Sequence, residues 1–151
     1  MNPIGPVLAA VLLAQATPAR VQVWKSSDID KRAAELAKKL DAQKAASEVI
    51  AKEGNRIFMV AHREGSGLAE LHDNEADIMV ISRGEVTMVY GGTIVDGKTT
   101  ASGQTRGASI TGGTELKLGP GDVLHIPAKV PHQMKLAPGA KVTYFVTKVL
   151  E

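Results

Sequence analysis

The chain has 151 residues, 44% hydrophobic and 23% charged, with a formal net charge of +2. That length suits one compact domain with a short extra segment. No stretch forms a basic stripe and aromatics are 3% of the residues, which argues against a nucleic-acid partner. There is no cysteine, so disulfides, thiolate catalysis and cysteine-ligated zinc are excluded.

The opening "MNPIGPVLAAVLLAQATPARVQVW" reads as an export signal. The apolar run from Ile4 to Ala14 is too short to span a bilayer. Small residues at Ala14 and Ala16 fit the cleavage rule, and a cut after Ala19 is the alternative. This predicts a signal peptide over 1–16, a periplasmic or secreted protein, and no stable membrane span after cleavage. An uncleaved anchor or a buried N-terminal helix is the competing reading.

Residues 17–55 form the next unit, predicted as a helical extension. Ile29, Ala33, Leu36, Ala37 and Leu40 recur at helical spacing. Ser27 with Asp30 resembles a capping box, and Gly54-Asn55 reads as a stop. The stripe fits packing across the following domain or, alternatively, a homodimer arm.

From Arg56 to Glu151 the texture changes to short apolar runs. "RIFMVAHR", "DIMVISRG", "EVTMVYGG", "ELKLG", "DVLHIPA", "HQMKLA" and "KVTYFVTKVL" read as strands punctuated by Gly and Pro. Many short strands imply an all-β sandwich or small barrel. The polar stretch over 93–114 reads as an exposed loop or loose hairpin inserted between the two halves of the sheet.

The chemistry concentrates in "LAELHDNEADIMVISRGEV" and "GPGDVLHIPAKVPHQM". Glu70 and His72 are two apart, so on a strand they share a face. Asp77 opens the next apolar run, and His132 starts a strand after Pro127. If the sheet closes, two imidazoles and one or two carboxylates meet inside it. Such a set suits Fe, Mn, Ni or Zn without choosing among them. The bland alternatives are a solvated turn for the acids and hydrogen-bonded interior histidines. Asp73 and Glu75 read as turn surface. His125 reads as core, sharing a face with Val123, and His62 as packing or a partner to a ligand. Met79, Met88 and Met134 furnish either an adaptable ligand-binding wall or core filler.

These two stretches resemble the paired motifs of the cupin superfamily. Glu70, His72, Asp77 and Gly84 follow the spacing of the first motif. Gly121, Pro127, Lys129 and His132 follow the second. The departures are Glu70 for a histidine, Asp77 for a glutamate, Lys129 for a glycine and Leu136 for an asparagine. The resemblance implies a double-stranded β-helix (a jelly-roll barrel) over 56–151, with His72, His132, Glu70 and Asp77 around a divalent metal. It also implies a small oxygenated ligand and isomerase, lyase or dioxygenase chemistry. The alternatives are a non-catalytic small-molecule or sugar-binding module and an oligomeric structural protein whose barrel site is vestigial; a homodimer is expected.

Overall fold

The structure, a computed structural model, describes residues 21–151. The apolar opening and both expected cleavage points lie outside the described residues. Among the described residues, no helix is long and apolar enough to cross a membrane.

Among the described residues one helix, α1 (Ser26–Leu36), precedes thirteen strands. These are β1 (Ala45–Glu53), β2 (Arg56–Arg63), β3 (Ala69–His72), β4 (Glu75–Arg83), β5 (Val86–Tyr90), β6 (Thr93–Val95) and β7 (Lys98–Ala101). They continue with β8 (Gln104–Gly107), β9 (Ser109–Thr111), β10 (Thr114–Leu118), β11 (Val123–Ile126), β12 (His132–Lys135) and β13 (Val142–Leu150). One sheet runs β1-β2-β13-β4-β11, a second runs β10-β5-β12-β3-β8-β7, and β6 pairs with β9. The architecture is all-β, as expected. Closure into one continuous sheet is not seen, and two separate sheets face each other instead.

The core lies between them. Ala61, Met79, Ile81, Val142, Tyr144 and Val146 from the first sheet pack with Val86, Met88, Leu118 and Met134 from the second. Alternation along each strand supplies these faces. Gly84, the glycine of the first motif, has φ +78° and its Cα abuts the carbonyl of Lys141, where a Cβ would sit 1.9 Å away. Only a residue without a side chain fits there.

The helix is far shorter than expected. It ends at Leu36, with Lys38 and Lys39 closing a tight last turn through the carbonyls of Glu35 and Leu36. Asp41 Oδ1 then accepts from the backbone N–H groups of Gln43 and Ala45, and Lys44 takes φ +53°. This local side-chain turn redirects the chain into β1. The Ala- and Lys-rich composition of 37–53 favours a helix locally. Tertiary pairing decided the outcome: β1 adds to the edge of β2, with Glu53 opposite Arg56. Gly54-Asn55 is therefore a hairpin turn and not a helix stop.

The apolar stripe of α1 is covered within the chain. Ile29 and Leu36 bury against Val60, with Trp24, Ala46, Ile50 and Phe145 alongside. Each large side chain buried this way contributes about 1.5–3 kcal/mol. The expected capping box is absent: the N-cap is Lys25 without a side-chain cap, and Asp30 instead bonds Arg83 at 2.5 and 2.6 Å.

The stretch 93–114 takes the hairpin alternative, as paired strands. It folds as β6 to β9, with turns at Asp96-Gly97 and Ser102-Gly103. Its β8 lies against β3 and delivers side chains to the site.

Candidate metal centre

Three strands of the second sheet and two of the first build the centre through direct cross-strand pairing. His132 on β12 stands opposite Glu70 on β3. On its other side, β3 sets Arg106 opposite Glu70 and Gln104 opposite His72. In the facing sheet, Lys148 on β13 stands opposite Asp77 on β4.

The two imidazoles lie with centroids 5.1 Å apart and planes inclined at 60°. Their Nε2 atoms converge on the same two carboxylate oxygens. Glu70 Oε2 is 3.6 Å from His72 Nε2 and 3.9 Å from His132 Nε2. Asp77 Oδ2 is 3.6 and 3.7 Å from the same two atoms. These separations are too long for hydrogen bonds. They are slightly wider than the roughly 3.4 Å between two ligands of one tetrahedral ion with bonds of about 2.0–2.1 Å.

The other atom of each group is tied elsewhere. Arg106 Nη1 donates to Glu70 Oε1, and Lys148 Nζ donates to Asp77 Oδ1 at 2.9 Å. His72 Nδ1–H donates to Gln104 Oε1 at 2.5 Å, and Gln104 Nε2 donates to Glu75 Oε1 at 2.9 Å. His132 Nδ1–H donates to the Val130 carbonyl at 3.0 Å. In both rings this leaves the lone pair on Nε2, aimed at the centre.

The donor set passes a direct test of fit. His132 is 4% exposed, and its buried Nε2 has no hydrogen-bond partner. A buried polar atom without a partner costs about 1–3 kcal/mol, and a cation between the four groups would satisfy it. Glu70, His72 and His132 offer ligand atoms within 4.8 Å of one another, near enough to hold an ion. Lys148 Nζ donates to the His72 Nε2 lone pair at 3.3 Å and pairs with Glu75 Oε2 at 3.1 Å, so an ammonium already meets one imidazole and partly neutralises the acids.

Electrostatics follow the geometry. Burial opposes charge on His72, but the Asp77 carboxylate outweighs it and raises the imidazole above its ordinary value. Burial pushes Asp77 up, yet His72 and Lys148 together hold it below the usual carboxylate range. Burial lowers His132, more than the Val130 carbonyl and the acids restore. Burial lowers Lys148 while Asp77 and Glu75 more than compensate, so it stays charged.

A cavity of about 280 Å³ opens beside these groups. Its wall includes Arg63, Glu70, Asp77, Met79, Arg106, Tyr144 and Lys148, with Ala45 to Ser47 of β1 at the rim.

Of the four expected ligands, Glu70, His72 and His132 lie near enough to share an ion, while Asp77 falls outside that group, nearly fully buried between His72 and Lys148. Among the methionines, Met79 reaches the cavity and Met134 a smaller neighbouring space. Met88 is fully buried core and touches neither, which corrects its place on a ligand wall. His125 shares a face with Val123 as expected, but that face is the exposed outer one. His62 is a packing residue, its Nδ1 2.9 Å from Thr143 Oγ1 and its Nε2 3.3 Å from Glu64. Asp73 is exposed, while Glu75 is half-buried and bonded to Lys148 and Gln104.

Sequence reasoning missed Arg63, Gln104, Arg106, Tyr144 and Lys148. Gln104 and Arg106 alternate beside the turn signal at Ser102-Gly103, which marks a hairpin. Lys148 interrupts an apolar terminal strand, an unusual place for a cation.

No family model and no curated protein matches this sequence. Solved structures do match it. The Cnp3 cupin domain of Schizosaccharomyces pombe is 11% identical, with 72% of this chain and 66% of that chain covered and a TM-score of 0.54. A cupin 2 conserved barrel domain protein from Rhodopseudomonas palustris is 15% identical, covering 71% and 61%, with a TM-score of 0.52. The polyketide cyclase RemF from Streptomyces resistomycificus is 16% identical, covering 72% and 67%, with a TM-score of 0.51. The chain spans about two thirds of the length of these neighbours. With facing sheets of this order, and with both motif segments converging on one centre, the chain has the cupin fold.

Proposed function

We propose that this chain is a metal-dependent cupin that takes a small oxygenated ligand in the cavity walled by Glu70 and Asp77. The observation that carries this reading is the partnerless, buried Nε2 of His132, facing His72, Glu70 and Asp77. His72, His132 and Glu70 would hold the ion, with Asp77 as a fourth ligand or a hydrogen-bond partner to a bound water. A divalent ion there supplies a Lewis acid for a ligand carbonyl or hydroxyl. This supports isomerase, lyase or dioxygenase chemistry, and the name of RemF as a cyclase fits a fold that hosts reactions on small molecules.

A binding role without turnover is the second reading, and one observation favours it. Every carboxylate on the cavity wall is already engaged: Glu70 by Arg106, Asp77 by Lys148, and Asp41 by the amides of Gln43 and Ala45. These ion pairs weaken Glu70 and Asp77 as general bases. Elemental analysis of untagged protein tests the metal, with about one ion per chain expected and its loss expected in His132→Ala. Exchange of ligand α-protons, or oxygen consumption, by the metallated protein then separates catalysis from capture.

Export is a separate proposal resting on the apolar run Ile4 to Ala14 and the small residues after it. N-terminal sequencing of the mature protein should read from Thr17 or Arg20, and an intact Met1 rejects it.

A further inference from the structure

We infer that the ligand of this cavity is a small organic anion and that Arg63 receives its charged head group. The inference rests on the metal-dependent reading above and names the class of ligand that reading leaves open.

Arg63 lies on β2, on the cavity wall. Its Nε–H reaches Tyr144 Oη at 3.3 Å, while its buried Nη1 has no partner. The guanidinium packs on Gly67, where a Cβ would stand 3.0 Å from Nη1. A guanidinium stays charged under all physiological conditions, and its planar fork matches a carboxylate or phosphoryl group through paired hydrogen bonds. Nη1 itself is buried against Gly67 beside a smaller neighbouring space, so an anion in the cavity would be met by the part of the guanidinium that Arg63 presents on the cavity wall.

Charge balance points the same way. On the wall, Arg63, Arg106 and Lys148 match Asp41, Glu70 and Asp77 one for one. A divalent ion then makes the site net positive. Even Glu75, bonded to Lys148 from outside the wall, leaves an excess of positive charge. A cavity with that excess favours an anion over a neutral molecule.

Size and lining narrow it further. About 280 Å³ is at the small end of ligand pockets. Tyr144 is the wall's one aromatic ring and is itself bonded to Arg63, so a sugar has little to stack on.

The test is calorimetric titration of the zinc-loaded full chain with succinate, inorganic phosphate and glucose, with zinc content measured in every sample. Wild type should bind at least one of the two anions saturably and glucose not at all. The tighter anion identifies the head group as carboxylate or phosphoryl. Arg63→Met should weaken that binding at least tenfold with zinc content unchanged, and Arg63→Gln, which keeps a polar group there, serves if the methionine variant does not fold. Binding that ignores both substitutions, tighter binding of glucose, or no binding of either anion overturns the inference. Absence of zinc from the wild type instead overturns the metal reading on which it stands.

Discussion

Lys148 stands directly across from Asp77 in the first sheet, with its ammonium 2.9 Å from Oδ1 of a carboxylate that is 2% exposed. The pair sets the direction of Asp77: one oxygen is held by Lys148 and the other faces His72 and His132. Glu70 is divided in the same way between Arg106 and the two imidazoles. Two cations thus aim two acids at one point.

Removing Lys148 should strand a buried charge. Lys148→Met is expected to cost the metal-free protein about 3 kcal/mol, the usual scale for breaking such a pair. Saturating zinc should return much of that stability, because the ion supplies the missing positive charge. Urea denaturation with and without zinc measures both. A loss under about 1 kcal/mol would show that the pair is too solvated for the role.

The Gln104 amide fixes the orientation of His72 without touching the centre. Gln104→Leu keeps the volume and removes the acceptor for Nδ1–H. Zinc affinity should fall about tenfold or more, as for other residues that orient metal-bound histidines. Competition against a chromogenic chelator reads it, and an unchanged affinity would mean packing alone holds the ring.

Much of the fold could be read from residues that obey one period. "RIFMVAHR" and "KVTYFVTKVL" became β2 and β13, because their apolar character has no helical competitor in register. The residues after Leu36 misled because Ala, Lys and Glu, which dominate there, are good helix formers. Pairing with β2 overrode that preference. His72 and His132 were legible through the spacing of their flanking turns. Arg106, Gln104 and Lys148 were not, since their importance lies in which strand stands opposite, and a single chain does not announce its register.

The metal-free and metal-loaded proteins should respond oppositely to alkaline pH. His72 is raised, so its contribution to stability is complete below about 6.5, histidine's ordinary value, and is lost as pH rises through its folded value. His132 is lowered, so its contribution is complete above about 6.5 and is lost as pH falls through its folded value. Asp77 is lowered too, and its share is lost only in acid below the ordinary carboxylate range. Metal-free stability should therefore peak near pH 6.5 and decline on either side. Zinc requires His72 neutral, so zinc stabilisation should grow with pH through the same region. Denaturation midpoints across pH 5–8, with chelator and with zinc, check both slopes. Parallel curves would contradict the assignment of His72 to the centre.

Lys129 occupies the position where the second cupin motif carries glycine, and it adopts φ +65°. Its backbone N–H donates to the His72 carbonyl at 2.7 Å, so the strained residue also braces β3. Relief of a left-handed conformation is worth about 1 kcal/mol, partly offset by the greater freedom of an unfolded glycine. Lys129→Gly should leave stability unchanged or raise it by up to about 1 kcal/mol. A fall in melting temperature would show that the lysine side chain makes a contribution of its own.

The most direct test of the centre is anomalous diffraction at the zinc edge from crystals of the chain grown with zinc. The account predicts one strong peak within about 2.0–2.2 Å of His72 Nε2, His132 Nε2 and an oxygen of Glu70. No peak there, or zinc held instead at the exposed His125, would contradict it.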